Sequence, residues 1–525
     1  MQVDISSIRQ LQRHADLHGE DTAIVYEGTE FSYTELMKAV GKFAAALRED
    51  GVGRGDRVAY AGLNSVTFFI TFFSAIWVGA TFVPLNFRLV GDEMRGVLRD
   101  ARPDVVLAEP VQAAAFDEFL GTLAIRKTLL VDTDPNLEDA TAPSDAWLPY
   151  SEFVHGCNEI PPHEPQHDED LAALLYTSGS TGRPKGVMLT HGNLWWGWNN
   201  VDSAIDTRAD DVSLAVAPLF HIGGLNAFSL RTLTHGGTLL VRRKFDPAQA
   251  LRDIEERRVT TVFLVPAMLT AMSRQPNFDA TDLSSLRATC VAAAPVPPDL
   301  ISLYAGRGVL LQQAWGLTET APFSTNVDES MVQEKLGSCG TPMPYTRVKV
   351  VNPESLADIT ESGEVGELWV QGPNVSVGYW NNPKATRQAF TDDGWFRTGD
   401  LGRRDEDGYY YIVDRLKDMV LSGGENIYPA QIENALFTHP DIVDVAVIGI
   451  PHEKWGETVC AVVQFKDDPA SLEDIREFLS TRVASYKLPR ALVVTEEVAR
   501  NGSGKLDKQR IRREVLAEAS LAEAS

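Results

Sequence analysis

The chain contains the stretch Leu171-Ala-Ala-Leu-Leu-Tyr-Thr-Ser-Gly-Ser-Thr-Gly-Arg-Pro-Lys185-Gly186, in which an apolar run leads into small polar residues and a lysine. The apolar run predicts a buried strand. After it, the glycines let backbone N–H groups turn towards one centre, while the hydroxyls and Lys185 add donors and positive charge. This combination is typical of a loop that binds polyphosphate. A flexible Ser/Gly linker is the alternative, but linkers rarely lie between a strand and a Pro-Lys-Gly sequence.

Length and charge narrow the class of protein. At 525 residues the chain should form more than one domain, and 44% hydrophobic with 23% charged residues is ordinary for a globular protein. The formal net charge of -25 argues against nucleic acid or an anionic membrane as a partner, because both would repel this surface. Small anionic ligands are not excluded, since they respond to local fields.

The cysteines and the N-terminus predict a cytoplasmic protein. The four cysteines are far apart and form no Cys-x-x-Cys pair, so we expect buried free thiols and neither a zinc site nor a disulfide framework. The first residues, Met1-Gln-Val-Asp-Ile5, lack the basic region and apolar core of a secretory signal. Residues 58–87 carry no charge, but glycines and a proline interrupt them. A strand, a helix at 65–78 and a strand at 80–85 in a buried core are therefore expected rather than a membrane span.

Helix and strand patterns alternate in the first part of the chain, beginning with a helix at 33–49. Such alternation predicts parallel sheets covered by helices. The strand patterns lie at 57–60, 105–108, 129–131, 212–217, 238–241 and 261–265.

From Lys349 the pattern changes to short strands and turns, and after Asp414 a small separate unit is expected. The residues 405–408 predict a hairpin turn, and Ser471 predicts a capped helix start. The remaining elements are expected as strands at 347–351, 366–371, 408–413, 443–449 and 458–465 and a helix at 430–437.

A second motif, Gln313-Ala-Trp-Gly-Leu-Thr-Glu-Thr320, places an aromatic ring, a glycine, hydroxyls and a carboxylate in close order. A flat ring beside a glycine suits stacking against a nucleobase, and Glu319 could hold magnesium directly or through water. Taken alone, an aromatic-Gly turn before a helix is common and predicts little.

Three later motifs carry further candidates. Trp395-Phe-Arg-Thr-Gly-Asp400 ends in a carboxylate that can accept hydrogen bonds from both ribose hydroxyls, although Asp400 could equally cap a turn. Asp414-Arg-Leu-Lys-Asp-Met-Val-Leu-Ser-Gly-Gly-Glu-Asn426 joins a basic segment to a Gly-Gly loop. Arg500-Asn-Gly-Ser-Gly-Lys505 places a lysine on a glycine-rich loop, where a solvated surface lysine is the ordinary alternative. The whole set, in this order, favours a shared nucleotide site.

In these motifs the chain resembles the adenylate-forming superfamily, which comprises acyl-CoA synthetases, aryl-CoA ligases, luciferases and the adenylation domains of peptide synthetases. The resemblance runs from Phe31 to Lys508 and is closest to bacterial fatty-acyl-CoA synthetases. Besides residues 414–424, the matching motifs are Asn426-Ile-Tyr-Pro429 and Pro451-His-Glu-Lys-Trp-Gly-Glu457.

The resemblance implies an α/β fold with two domains. The N-terminal domain, 1–414, would contain two α/β subdomains plus a β-barrel, and residues 415–525 would form a small mobile α+β lid domain. Lys417 would be the hinge. Turning there would remove Lys505 and bring the Gly-Gly loop against the pantetheine channel, because a loop without side chains lets a thin arm pass. The implied channel residues are Ser422, Gly423, Gly424 and Glu425.

The resemblance also implies a two-step reaction that uses ATP, Mg²⁺ and coenzyme A. A carboxylic acid attacks the α-phosphate of MgATP and gives an acyl-adenylate and pyrophosphate, and the thiol of coenzyme A then displaces AMP. Lys505 would offset the charge that accumulates in the first step. With it, Thr177, Lys185 and Glu319 form the implied catalytic set, and Thr177 and Glu319 would bind the metal.

In the same way, the loop at 177–186 would hold the β- and γ-phosphates, Asp400 and Arg415 would contact the ribose, and residues 293–295 with Trp315 would bracket adenine. The implied nucleotide-binding residues are Thr177, Ser178, Gly179, Ser180, Thr181, Gly182, Lys185, Ala293, Ala294, Pro295, Gln313, Ala314, Trp315, Gly316, Leu317, Thr318, Asp400, Ile412, Arg415 and Lys505.

The implied acyl pocket is lined by His221, Gly223, Gly224, Leu225, Ala292, Ala293 and Trp315. His221 could equally be a core residue, and we favour a pocket wall over a general base because a carboxylate needs no deprotonation at neutral pH. The chain departs from its relatives in two places. Ala292-Ala-Ala-Pro295 replaces a frequent Gly-Gly-Ala-Pro, and Leu225 stands where some long-chain enzymes carry an aromatic gate.

The sequence therefore predicts an ATP-dependent acid:CoA ligase, with a medium- or long-chain fatty acid as the favoured substrate. The alternatives are an aryl or aryl-propenoic acid CoA ligase, or an enzyme that passes its acyl group to a carrier protein. A catalytically dead binder is disfavoured by the intact set of Lys185, Glu319, Asp400 and Lys505. The expected partners are small molecules, with no nucleic acid and no stable membrane insertion, and an oligomer is left open.

Overall fold

The structure, a computed structural model, describes residues 3–89, 91–137, 141–157, 159–177, 184–422, 425–452, 455–501 and 504–524, with side chains to residue 517. The chain divides into two compact units. Unit 1 comprises Met1–Val348 and Val370–Phe396, and unit 2 comprises Lys349–Trp369 and Arg397–Ser525. This division differs from the predicted boundary at 414/415, because the strands just before that boundary pair with one another inside unit 2.

The strands of unit 1 are β1 (Thr22–Tyr26), β2 (Thr29–Ser32), β3 (Arg57–Ala61), β4 (Thr81–Leu85), β5 (Val105–Ala108), β6 (Lys127–Leu130), β7 (Leu148–Pro149), β8 (Leu171–Thr177), β9 (Lys185–Thr190), β10 (Val212–Ala215), β11 (Thr238–Val241), β12 (Thr261–Leu264), β13 (Ala288–Val291), β14 (Leu311–Trp315), β15 (Thr325–Asn326) and β16 (Thr341–Pro342). Its helices are α1 (Ser7–His18), α2 (Tyr33–Glu49), α3 (Val66–Trp77), α4 (Gly91–Ala101), α5 (Pro110–Leu120), α6 (Tyr150–Phe153), α7 (His191–Ala204), α8 (Ile222–Gly224), α9 (Leu230–His235), α10 (Pro247–Glu256), α11 (Pro266–Ser273), α12 (Pro298–Ala305) and α13 (Pro383–Ala389).

The strands that fall wholly or mainly in unit 2 are β17 (Arg347–Val351), β18 (Asp358–Ile359), β19 (Gly366–Gln371), β20 (Phe396–Arg404), β21 (Tyr410–Arg415), β22 (Val420–Ser422), β23 (Glu425–Ile427), β24 (Ile442–His452), β25 (Gly456–Phe465) and β26 (Ala491–Val494). The helices of unit 2 are α14 (Pro429–Leu436), α15 (Leu472–Ser480) and α16 (Lys508–Ala524).

Most predicted elements are present, with ends that move by a few residues. The helix expected at 33–49 is α2, and Ser32 and Glu35 form a reciprocal capping box at its start. The uncharged segment folds as predicted into β3, α3 and β4, and every residue of α3 is buried. In the part of the chain that the structure describes, no helix is long and apolar enough to cross a membrane.

Two sheets with parallel centres form the frame of unit 1. The first has the order β7-β6-β5-β3-β4-β8-β9, and the second has the order β16-β15-β14-β13-β12-β10-β11-β1-β2. In the second sheet β10, β12, β13 and β14 pair in parallel. Carboxyl ends of parallel strands meet at one edge of a sheet, which is where open α/β sheets bind ligands. The loops after β10, β13 and β14 therefore share an edge.

The largest core of unit 1 joins the two sheets through α2 and α3. Phe43 from α2 and Phe72 and Phe73 from α3 are fully buried with Tyr60 of β3 and Leu239 of β11. Burying one such side chain stabilises the fold by about 1.5–3 kcal/mol, so this core dominates the packing of the unit.

Unit 2 contains two sheets. The five-stranded sheet β18-β17-β19-β20-β21 is built from the short strands that the sequence predicts from Lys349 onward. Its β20–β21 turn lies at 405–408 as predicted, and Asp405 N–H donates to the carbonyl of Tyr409 across it. The second sheet has the order β23-β22-β25-β24, with β26 beside β25. Side chains of α14 and α15 cover one face of it and those of α16 cover the other, which confirms an α+β C-terminal part.

Candidate functional site

The predicted phosphate loop joins two paired strands. β8 ends at Thr177 and β9 begins at Lys185, and these two residues are direct partners in an antiparallel register. The structure therefore places both residues at the base of the loop. The predicted phosphate-binding residues in between, Ser178, Gly179, Ser180, Thr181 and Gly182, lie outside the described residues.

Glu319 lies on a single 3-10 turn, Thr318–Thr320, that follows β14. The residue is 8% exposed, and its Oε1 accepts a hydrogen bond from the Tyr379 hydroxyl at 2.8 Å. Burial, with the nearby Glu319 carboxylate, raises the pKa of Tyr379 far above its ordinary value. The hydroxyl therefore stays protonated and donates a hydrogen bond to the carboxylate.

Lys185, at the start of β9, contacts the ring of the same tyrosine. Its Nζ lies 5.0 Å from the centroid of the Tyr379 ring, within the range of a cation–π contact. Tyr379 thus contacts one residue that the sequence predicted for the phosphates, Lys185, and one that it predicted for the metal, Glu319. Sequence reasoning missed Tyr379 itself; the available signal was an aromatic residue next to Gly378 in a short extended segment.

Segment 373–380 attaches this tyrosine to both neighbours through its backbone. Trp380 N–H donates to the carbonyl of Gly186 on β9 at 2.8 Å. Ser376 N–H donates to the carbonyl of Glu319 at 2.7 Å. The segment therefore fixes the spacing between the loop base and the Glu319 turn.

The turn after β14 requires glycine. A Cβ on Gly316 would lie 1.9 Å from the carbonyl oxygen of Pro322, so any side chain would force the backbone apart. Leu317 N–H then donates to Thr320 Oγ1 at 2.9 Å. The other predicted nucleotide residues of this motif frame the turn: Gln313, Ala314 and Trp315 are buried, and Leu317 and Thr318 are half-buried.

The segment after β13 carries a strained residue. Ala293 has a φ of 77°, in the left-handed region that favours glycine. The family resemblance places the second glycine of Gly-Gly-Ala-Pro at this position, and this chain adopts the left-handed conformation there with an added methyl. Ala292 is buried, whereas Ala293, Ala294 and Pro295 are exposed at the sheet edge.

Two glycines after β10 lie too close to neighbouring atoms to carry a side chain. A Cβ on Gly223 would lie 2.7 Å from the Phe263 ring, and one on Gly224 would lie 2.3 Å from the carbonyl oxygen of Pro218. Half-buried His221 precedes these glycines, and its ring centroid lies 4.2 Å from that of Phe220. Leu225 is fully buried and begins a π-helical turn, Leu225–Ser229.

In unit 2 the two predicted ribose-binding residues pair with each other. Asp400 on β20 is opposite Arg415 on β21, and Asp400 Oδ1 lies 2.5 Å from Arg415 Nε. Asp400 is 3% exposed, while the Arg415 side chain is 42% exposed. The carboxylate is thus held by a charged partner, and Ile412 is half-buried three positions before that arginine.

The predicted hinge and channel residues lie on short elements. Lys417 is the middle residue of a 3-10 turn, Leu416–Asp418. β22 and β23 pair in antiparallel register with Ser422 opposite Glu425, which leaves a two-residue connection between them. Gly423 and Gly424, which follow Ser422 in the sequence, lie outside the described residues.

Lys505 lies at the end of a hairpin loop in unit 2. Its N–H donates to Asn501 Oδ1 at 3.1 Å, and its carbonyl accepts from Asn501 N–H at 2.8 Å. Arg500 also bridges this loop, because Nη1 donates to the carbonyl of Gly504 at 3.0 Å and Nη2 lies 2.7 Å from Asp444 Oδ2. The backbone of the predicted catalytic lysine is therefore held by hydrogen bonds to Asn501, and that of the preceding Gly504 by one from Arg500.

The residues of unit 1 fit a magnesium ion delivered with a nucleotide. Among the described residues, no group of three or more His, Cys, Asp or Glu side chains forms a metal cage. Mg²⁺ is usually held by one or two carboxylates together with substrate phosphates and water. Glu319, a largely buried carboxylate attached to the base of the phosphate loop through Tyr379, suits that donor set.

Family comparison matches this arrangement over most of the chain. Residues 11–380 match the family described as AMP-binding enzyme, and residues 431–505 match the AMP-binding enzyme C-terminal domain. The chain belongs to the AMP-binding enzyme family. It is an AMP-forming acid–thiol ligase of the acyl-CoA synthetase type, which confirms the predicted superfamily and the predicted acid:CoA ligase class.

Individual relatives differ in their acid. The chain is similar to a feruloyl-CoA synthase from Amycolatopsis sp, with 42% identity over 95% of the chain and 97% of that protein. It is 39% identical to indoleacetate–CoA ligase from Aromatoleum aromaticum, over 96% of each chain. It is 36% identical to the long-chain-fatty-acid–CoA ligase FadD13 from Mycobacterium tuberculosis, over 93% of each.

Among solved structures, the chain resembles o-succinylbenzoate CoA synthetase (MenE) from Bacillus subtilis in complex with its acyl-adenylate intermediate. The TM-score is 0.85 at 28% identity, and the match covers 96% of this chain and 97% of that one. This likeness confirms the predicted fold class.

Proposed function

We propose that the protein joins an aryl or aryl-propenoic acid to coenzyme A at the expense of ATP. The observation that carries this proposal is the 42% identity to feruloyl-CoA synthase over 95% of the chain. The likeness to indoleacetate–CoA ligase, at 39%, supports it, and both exceed the 36% identity to FadD13. The fatty acid favoured by the sequence motifs becomes the second candidate, supported by the FadD13 likeness.

The apolar cluster behind the β13 edge agrees with a flat substrate. Small or planar side chains make up most of it, and its other buried members are Val201, Ile205 and Met343. The small or planar members are Ala227, Phe228, Ala288, Cys290, Ala292, Ala314 and Phe323, with the partly buried Phe263 beside them. Alternate residues of β13 point into this cluster, as expected for a strand. Methyl groups and ring faces pack well against an aromatic ring, and the ring of Phe263 already lies against the backbone of Gly223.

In the first half-reaction, a carboxylate oxygen of the acid forms a bond to the α-phosphorus of ATP, and the bond from that phosphorus to the bridging oxygen breaks to release pyrophosphate. Lys505 would offset the negative charge that builds up between the two anions. Lys185 would bind the leaving phosphates. Asp400 would hold the ribose hydroxyls, with Arg415 orienting its carboxylate. A bound Mg²⁺ would neutralise phosphate charge, with Glu319 and Thr177 as its protein ligands.

In the second half-reaction, the thiol sulfur of coenzyme A forms a bond to the acyl carbon, AMP leaves with the oxygen it gained, and the thiol proton is lost to solvent. The β22–β23 hairpin, in which Ser422 ends β22 and Glu425 begins β23, would lie beside the pantetheine arm. The Gly-Gly sequence between these two residues suits this role because glycine carries no side chain.

The test is a substrate panel with two readouts, AMP release and thioester formation. Ferulic acid, indole-3-acetic acid, benzoic acid, octanoic acid and palmitic acid are compared at equal concentration with MgATP and coenzyme A. We expect kcat/KM for one of the aryl acids to exceed that of both fatty acids by at least about tenfold, the usual scale of pocket discrimination. A higher value for palmitic or octanoic acid would contradict the aryl proposal and leave the fatty-acid candidate.

A variant separates the half-reactions and tests the carrier-protein alternative. Lys505→Ala should abolish pyrophosphate exchange yet still form thioester from supplied acyl-adenylate, because the lysine acts on charge that develops only in the first step. Equal loss of both half-reactions would contradict that division of roles. Pyrophosphate exchange by the unaltered enzyme without any coenzyme A thioester would favour transfer to a carrier protein.

A further inference from the structure

Tyr379 contacts two of the side chains of unit 1 that the sequence predicts for MgATP, Glu319 and Lys185. Its hydroxyl donates to Glu319 Oε1 at 2.8 Å, and its ring lies 5.0 Å from Lys185 Nζ. The residue is 8% exposed, so both contacts are largely shielded from solvent. A single side chain therefore touches an anion on one side and a cation on the other.

The backbone around Tyr379 leaves it little freedom to move. Its neighbour Trp380 is bonded to Gly186 on β9, and Ser376 is bonded to the carbonyl of Glu319. Tyr379 itself forms an antiparallel bridge with Val187. A side chain anchored in this way can determine where its partners point, which a side chain on a free loop cannot.

The hydroxyl and the ring have separate effects. A hydrogen bond to one oxygen fixes the rotation of a carboxylate plane, and bonds to charged acceptors are stronger than bonds between neutral groups. The ring face attracts the ammonium group through its quadrupole and so limits the rotamers of a long, flexible lysine. Together they would hold Glu319 and Lys185 at a set spacing before any ligand binds.

We propose that Tyr379 is a positioning residue for metal-bound triphosphate: its hydroxyl orients the Glu319 carboxylate towards the metal, and its ring directs Lys185 towards the phosphates. The proposal rests on the proposed function, since it assumes that MgATP binds here. It predicts a specific defect, because AMP lacks the two phosphates and the metal that these groups would serve. A tyrosine that only fills space would affect both nucleotides equally.

The experiment compares nucleotide binding in the absence of acid, so that no turnover occurs. Dissociation constants for MgATP, for ATP with EDTA and for AMP are measured by titration calorimetry on the full-length protein. Tyr379→Phe should weaken MgATP binding about tenfold, the scale of one hydrogen bond to a charged group, and leave AMP binding within about twofold. Tyr379→Leu, which also removes the ring, should additionally weaken metal-free ATP.

Tyr304→Phe is the matched control. Tyr304 is also buried, and its hydroxyl donates to the carbonyl of Leu269 at 2.9 Å, within a separate core cluster. This variant removes a buried hydroxyl without touching the proposed site, so its affinities for both nucleotides should match the unaltered protein. If Tyr379→Phe proves less stable than Tyr304→Phe, the ratio of MgATP to AMP affinity still decides the question, because both ligands need the fold.

A double-mutant cycle tests whether Tyr379 acts through Glu319. In a Glu319→Gln background, adding Tyr379→Phe should change MgATP affinity by less than about threefold, since the oriented carboxylate is already gone. Unchanged MgATP binding in Tyr379→Phe, equal losses for MgATP and AMP, or full additivity in the cycle would each overturn the proposal. These readouts differ from the thioester assay, so a protein that binds MgATP but makes no acyl-CoA would contradict the proposed function and not this inference.

Discussion

Replacing Arg243 by methionine should destabilise unit 1 strongly. Arg243 follows β11 and binds two buried carboxylates that follow strands of the other sheet: Nη2 lies 2.8 Å from Glu109 Oε2, and Nη1 lies 3.0 Å from Asp134 Oδ2. Glu109 is 3% exposed and Asp134 is 7% exposed. Tyr26 and Tyr60 donate further hydrogen bonds to these carboxylates. The arginine is thus the cation that lets two anions stay buried where the two sheets meet.

The loss of folding stability can be estimated from the groups that remain after the substitution. Methionine fills similar space but leaves two negative charges buried with neutral donors alone: the two tyrosine hydroxyls, and the backbone N–H and side-chain amide of Asn136. Breaking a buried ion pair from one side costs about 3–5 kcal/mol, because the remaining charge stays desolvated. A typical protein is stable by about 5–15 kcal/mol, so the loss should be a large part of the total. Arg243→Lys should lose less, since a lysine can still pair with one carboxylate.

Urea unfolding followed by tryptophan fluorescence provides the assay, with the first transition midpoint as the readout because a two-unit chain need not unfold in one step. Arg208→Met is the control: Arg208 pairs with Asp206 at the surface, with 57% and 44% of the two side chains exposed. That variant should unfold at the midpoint of the unaltered protein. An unchanged midpoint for Arg243→Met, or an equal drop for both variants, would refute the reasoning. Adding Glu109→Gln should restore part of the loss.

Three further outcomes are expected. Burial lowers the pKa of His191 to about 4, so the folded state resists protonation of this histidine. The free energy of unfolding is therefore unaffected by this group above pH 6.5, the unfolded pKa, and decreases as the pH falls from there towards about 4. His191→Gln should show a smaller loss of stability over that range in thermal scans. Arg500→Ala should slow pyrophosphate exchange about tenfold by loosening the carbonyl of Gly504, while thioester formation from supplied acyl-adenylate changes less than about twofold; equal changes would point to a general fold defect. Gly316→Ala should abolish AMP binding because its Cβ would meet a carbonyl oxygen at 1.9 Å, whereas Gly96→Ala, with nothing within 4 Å, should bind AMP normally.

Elements with strong local signals could be predicted from the sequence. α2 begins at a Ser-x-x-Glu capping box, and α15 begins at a Ser-x-x-Asp box at Ser471. Both signals depend on residues three positions apart, so no tertiary information is needed. The strand expected at 408–413 is displaced to Tyr410–Arg415, because Tyr409 is still bonded within the turn through Asp405.

Contacts between distant segments could not be predicted in the same way. Tyr379 is 60 residues from Glu319 and even further from Lys185, and its role depends on the pairing of segment 377–380 with β9. The partnership of Asp400 with Arg415 similarly depends on the β20–β21 register. Motifs named each charged residue separately, while the side chain that connects two of them carries no charge and resembles ordinary core.

A hydrogen bond at the start of α14 would resist the lid rotation about Lys417 that the family resemblance implies. Asp414, three residues before it, accepts a hydrogen bond from Ala430 N–H at the beginning of α14, at 2.8 Å. Burial raises the pKa of Asp414, and the ammonium of Lys508 opposes that shift. Lys508 itself is paired with Glu433 at 2.8 Å. Any rotation at Lys417 that carries α14 away must break the Asp414 bond, whereas the Glu433–Lys508 pair moves with the lid. One hydrogen bond to a charged group is worth about 1.5–3 kcal/mol, small enough for a bound ligand's differential affinity to outweigh it. If the lid turns at Lys417, as the resemblance implies, a contact of this strength would let it favour one orientation and still exchange with another during the reaction.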